Sequence, residues 1–172
     1  MKRVGLGVLV FVLLGMGLAQ KNAGVSSMET ADQPLSSSYQ NLQWSRILPD
    51  LGASSPEIAF LHVDPQTKAT QLMIRNRVPI HVTMHWHSAN ETHTVLRGTV
   101  VFEHEGRRNT LGPGGFNYIP KRMHHQAWLP ANGLVFITVD GAWDVNWVEG
   151  PPTARDLNAR PGGEPRAGKP RP

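Results

Sequence analysis

Four residues that could do chemistry fall within nine positions: His85, His87, Glu91 and His93, in the stretch HWHSANETHTVLRG at 85–98. The run before and into them, PIHVTMHWH at 79–87, is rich in β-branched and aromatic residues and reads as a strand. Side chains alternate faces along a strand, so His85 and His87 point one way and Trp86 the other. A turn through Ser88-Ala89-Asn90 then delivers Glu91 to the start of a second strand, where Glu91, His93 and Val95 share a face. If that strand folds back beside the first, the carboxylate meets both imidazoles. Two neutral imidazoles and a carboxylate are ligands for a divalent ion such as Zn, Fe, Mn, Ni or Cu. Buried without a partner, the same groups would be costly.

Positioning such groups requires strands, and the sequence supplies them. ATQLMIR (69–75), THTVLRGTVVFEHE (92–105), GGFNYIP (114–120), HQAWLP (125–130), GLVFITVDG (133–141) and AWDVNWV (142–148) are rich in Val, Ile, Thr and aromatics. Asp64-Pro65, Glu105-Gly106, LGPGG at 111–115, Pro130 to Gly133 and Asp140-Gly141 punctuate them with turn chemistry. No 3.6-residue period appears beyond the N-terminal segment. Short strands at roughly ten-residue spacing predict an all-β sandwich or barrel, here one domain over residues 43–149.

The flanks have a different character. Residues 1–19 combine Lys2 and Arg3, an uncharged apolar run from Val4 to Leu18, and small residues ending at Ala19. That is the pattern of a secretory signal peptide, with cleavage expected after Ala19 and a periplasmic or secreted mature protein. The apolar run is short for a membrane span, which needs about 20 residues, so no stable span is expected after cleavage. Residues 20–42 read as a flexible leader, and residues 150–172, dense in Pro, Gly and Arg, as a disordered tail.

The chain has no cysteine, which excludes thiolate metal sites, thiol nucleophiles and disulfide staples. Its formal net charge of +4 resides in the flanks. Setting aside residues 1–19 and 150–172 leaves ten basic against eleven acidic residues. A nucleic-acid binder carries its basic patch on the folded domain, so nucleic acid is not an expected partner.

The spacing extends further. His85-x-His87-x3-Glu91-x6-Gly98 is followed by Gly114-x5-Pro120 and, five residues on, His125. This two-part signature resembles that of the cupin family, and small single-domain bacterial cupins in particular. The likeness covers roughly residues 43–149. It departs at one place, where Arg122 stands at a usual glycine and puts the local turn geometry in question. The resemblance implies a cupin-type jelly-roll β-barrel, with one divalent transition metal ion (Fe, Mn or Zn) held by His85, His87, Glu91 and His125. Positions on a six-coordinate ion would be left open for a small-molecule substrate or ligand.

Around this set, His93 is the candidate to hydrogen-bond a ligand from behind or to shuttle protons. His124 should face away from His125. His81 shares the strand face of His85 and could line the deeper barrel, whereas His62 and His104 read as ordinary strand residues. Met73 and Gln71 are weak candidates for a pocket mouth. Trp86, Trp128, Trp143 and Trp147 read as core or flank residues, Trp143 and Trp147 sharing a strand face that fits an oligomer interface, such as a homodimer. Two functions compete: a metalloenzyme, with oxidative, dioxygenase-like chemistry slightly favoured, and a non-catalytic metal- or small-ligand-binding cupin. A barrel whose ligands are relics is the third and weakest.

Overall fold

Each of the β-branched runs pairs antiparallel with another, so the backbone polar groups of the domain are satisfied within two sheets. The computed structural model describes residues 34–162. The expected signal peptide at 1–19, the expected leader up to residue 33 and the tail from 163 lie outside the described residues. The strands are β1 (Ser45–Arg46), β2 (Glu57–Val63), β3 (Thr70–Arg75), β4 (Ile80–Trp86), β5 (Glu91–Arg97), β6 (Val100–His104), β7 (Arg107–Leu111), β8 (Phe116–Ile119), β9 (His125–Leu129), β10 (Leu134–Val139) and β11 (Asn146–Trp147). One sheet runs β1-β2-β3-β10-β5-β8, the other β11-β4-β9-β6-β7. This is the expected all-β jelly roll. Among the described residues no helix is long and apolar enough to cross a membrane.

The core lies between the sheets. Leu72, Val95 and Ile137 from the first sheet meet Ile80, Val100 and Phe102 from the second, all but out of contact with solvent. Gly98 ends β5 with φ +89, and a Cβ there would come within 2.6 Å of Pro130 Cγ, so both the backbone and the close approach require glycine.

The structure revises the expected route of the second strand. β5 does not fold back beside β4. It crosses to the other sheet and pairs with β10 and β8. The corner that turns it is built from carboxylates. Asp144 accepts from Ser88 N (2.9 Å) and Ser88 Oγ (2.6 Å), and Asp140 accepts from Asn90 N (2.9 Å). Asn90 Oδ1 in turn accepts from Lys121 N at 2.9 Å. With its polar backbone satisfied by these caps, the short turn spans the edge between sheets.

The tail is also revised. Residues 150–162 are not featureless. A 3-10 turn at Ala154–Asp156 carries a Thr153/Asp156 capping box, Leu157 bridges Ile80, and Asn158 N donates to Pro79 O at 2.8 Å. Composition predicted disorder because the segment lacks periodicity, but one half-buried leucine and a cap anchor it.

Candidate metal centre

Both sheets contribute to one cluster. His85 lies near the end of β4 and His87 just beyond it, while His125 opens β9 as the strand partner of His85. Glu91 and His93 come from β5, in the opposite sheet. All five are buried, Glu91 and His125 at 1% exposure. One ring nitrogen from each of His85, His87 and His125 can be chosen so that all three lie within 4.8 Å of one another.

The rings are held from behind. Nδ1 of His85 donates to Thr83 O at 2.7 Å, Nδ1 of His125 to Met123 O at 3.1 Å, and Nδ1 of His87 to Asp144 O. A carbonyl oxygen only accepts, so each Nδ1 carries the proton and each Nε2 presents its lone pair. Orienting a ring through its far nitrogen is how proteins fix imidazole ligands.

Glu91 closes the group from across the barrel. Its Oε2 lies 2.9 Å from His87 Nε2, 3.2 Å from His93 Nε2 and 4.0 Å from His125 Nε2. Yet Glu91 Oε2 makes no hydrogen bond, and neither does His125 Nε2. The atoms are close but not aimed at one another as donor and acceptor. Buried polar atoms without a partner are rare and costly. Lone pairs of three imidazoles and a carboxylate gathered in this way fit a divalent transition ion.

For His85 and His125 the electrostatics agree with that donor set. Burial, then the neighbouring ring of His87, pushes His85 down to about 4. Burial and His85 push His125 down to about 3. Both are neutral lone-pair donors at ordinary pH. Burial would lower His87 too, but the Glu91 carboxylate outweighs it and raises it. Burial opposes the charge on Glu91, but His93 and His87 hold its carboxyl well below the usual range.

Other residues settle as follows. His93 packs on Phe102 with ring centroids 4.7 Å apart, and its Nδ1 is buried without a partner. His124 is exposed, as expected of a neighbour facing away from His125. His81 departs from expectation and faces outward, stacked on Trp128 with centroids 4.6 Å apart. A β-bulge explains this: between Val82 and His85 the pairing with β9 slips, so two histidines four apart occupy opposite faces. Arg122 adopts φ +64, so the turn keeps the left-handed geometry that favours glycine, and its N–H donates to His87 O at 2.8 Å.

A cavity of about 80 Å3 opens over the cluster. Val135 and Ile137 line it from one sheet and Phe102, Ala127 and Leu129 from the other. Trp143 and Trp147, expected on one flank strand, line it as well. Only Asn146–Trp147 is strand there, and the segment before it curls inward, with Trp147 5.2 Å from the His85 ring. Trp143 Nε1 is buried without an acceptor. The exposed aromatics of the described residues include Phe116 and Tyr118 on β8 instead. Met73 and Gln71 do not line the cavity; Ile74 does. Most of these wall residues sit inside strands as ordinary apolar core positions, which no spacing rule singles out, while Trp143 comes from the segment before β11.

Residues 79–140 match the family model described as the cupin domain. This segment is a cupin domain. The match includes all four candidate ligands. Among solved structures, the cupin fold is similar to an RmlC-like cupin from Shewanella frigidimarina, over 65% of this chain and 95% of that one, at 17% identity and a TM-score of 0.55. It is similar to an acetylacetone dioxygenase from Acinetobacter johnsonii over 69% of this chain and 79% of that one, at 16% identity and 0.53. DMSP lyase DddQ from Ruegeria pomeroyi is similar over 69% and 73%, at 17% identity and 0.51. At these identities the likeness concerns the cupin fold alone. No curated protein matches the sequence.

Proposed function

We propose that this chain is an exported metalloenzyme acting on a small molecule, with one divalent Fe, Mn or Zn ion held by His85, His87, Glu91 and His125. The observation that carries this reading is the converging set of Nε2 atoms, each anchored through Nδ1 to a backbone carbonyl, beside a buried Glu91 oxygen that makes no hydrogen bond. Bound there, the ion supplies Lewis acidity or, as Fe or Mn, redox chemistry. The backbone carbonyls of Thr83, Asp144 and Met123 hold the three rings in orientation. The apolar walls exclude water, and His93, 3.2 Å from Glu91, is placed to hold or pass a proton at Nε2. The acetylacetone dioxygenase and the lyase among its structural neighbours support a catalytic use of the fold, and the three-imidazole set leans toward oxidative chemistry. The charged start and uncharged apolar run of residues 1–19 support export, and sequencing the N-terminus of the mature protein for a start at Gln20 tests it.

Metal content by mass spectrometry on protein purified without chelator, beside a His125→Ala variant, tests the centre. Near-stoichiometric metal that the variant loses is the expected result. No metal after reconstitution with each ion sinks the assignment.

One observation favours a non-catalytic ligand binder: beyond the four ligands, His93 is the only acid–base group among the cavity-lining residues. His93→Val separates the two. An enzyme keeps its metal and loses turnover, whereas a binder changes little. Loss of metal in that variant would make His93 part of the ligand set.

A further inference from the structure

The walls of the cavity carry information about what fills it. Apart from the five clustered histidine and glutamate side chains, every lining residue is apolar or tryptophan. None is Lys or Arg, and none is Ser, Thr, Asn or Gln. Outside the cluster, Trp143 Nε1 is the one buried unpartnered donor in the lining, so the several hydroxyls of a sugar, a phosphate ester or a second carboxylate would lose most of their hydration without partners, which is costly for a hydroxyl and more so for a charge. Charge counting narrows the choice. A divalent ion with neutral imidazoles and one carboxylate, Glu91, leaves a net +1 at the end of an uncharged cavity. A neutral ligand leaves that charge uncompensated, and a dianion reverses it. A monoanion cancels it. The cavity size, about 80 Å3 where one water takes roughly 10–15 Å3, suits a compact molecule.

Building on the metal site proposed above, we infer that the substrate is a small monoanionic oxygen chelator on a hydrocarbon frame. Its charged oxygens meet the ion at the histidine–glutamate end, and its hydrocarbon part lies against Val135, Ile137, Leu129 and Phe102.

Hydroxamates test this, because one chelating head can be kept while the tail changes. The metal-loaded full chain, with its metal content measured first, is titrated calorimetrically with acetohydroxamate, butyrohydroxamate and succinic monohydroxamate, and with butyramide as a neutral non-chelator. Two added methylenes should tighten butyrohydroxamate over acetohydroxamate roughly tenfold. The tail carboxylate of succinic monohydroxamate should weaken binding by about a hundredfold relative to butyrohydroxamate. Butyramide and the metal-stripped protein should show no comparable binding. An alkyl tail without gain, or a charged tail that binds as tightly, overturns the inference while leaving the metal site standing. Protein that takes up no metal fails earlier, at the site itself.

Discussion

At the scale of single residues, Arg122 shows how a departure from a motif can leave its geometry intact. The turn demands a left-handed residue and the arginine complies, exposed and at φ +64. A non-glycine residue pays about 1–2 kcal/mol for that conformation. Arg122→Gly should therefore stabilise the protein by about 1 kcal/mol, read as a higher urea midpoint at unchanged slope. An unchanged or lower midpoint would mean the side chain makes a compensating contact. The ligand candidates themselves were legible from spacing, because a strand's alternation fixes which way His85 and His87 point. His81 was misjudged by the same rule, since no feature of the sequence announces the bulge that breaks the alternation between Val82 and His85.

At the scale of elements, the turns rather than the strands decide where the chemistry sits. Gly98 passes beneath Pro130 at the start of the β9–β10 turn. Gly98→Ala adds both an impossible contact and a strained backbone, and should cost at least about 2 kcal/mol, checked by thermal melting. Beside the start of β4, Leu157 bridges Ile80 and packs against the core, and Asp156 caps Thr153 while lying 3.5 Å from His81. Leu157→Ala should cost roughly 1–2 kcal/mol, and Asp156→Ala about 1 kcal/mol. If neither moves the melting temperature, residues 151–162 are a passive appendage. The jelly roll was readable from the runs and their punctuation. The crossing of β5 to the opposite sheet was not, because it depends on Asp140 and Asp144, some fifty residues away in sequence, capping a three-residue corner. Likewise the inward turn of Trp143 and Trp147 follows from where the segment after β10 runs, and not from their spacing.

At the scale of the whole molecule, the barrel has no disulfide to hold it and instead gathers buried polar groups from both sheets at one point. An ion held at that point would tie the sheets together, so stripping it should lower stability. At a free metal concentration one hundred times the dissociation constant the difference is about 2.7 kcal/mol. Calorimetric melting with and without chelator checks this, and a His125→Ala variant that no longer responds to metal confirms the source. Part of the cavity rim comes from outside the segment that defines the domain: Ile47, Leu48 and Pro56 precede it, while Trp143, Val145, Trp147 and Pro152 follow it. The cavity is thus written in three stretches of the chain, with every candidate ligand in the middle one. Changes confined to the flanks would therefore reshape the space above the histidines without touching one of them, and identical histidine motifs need not enclose identical cavities.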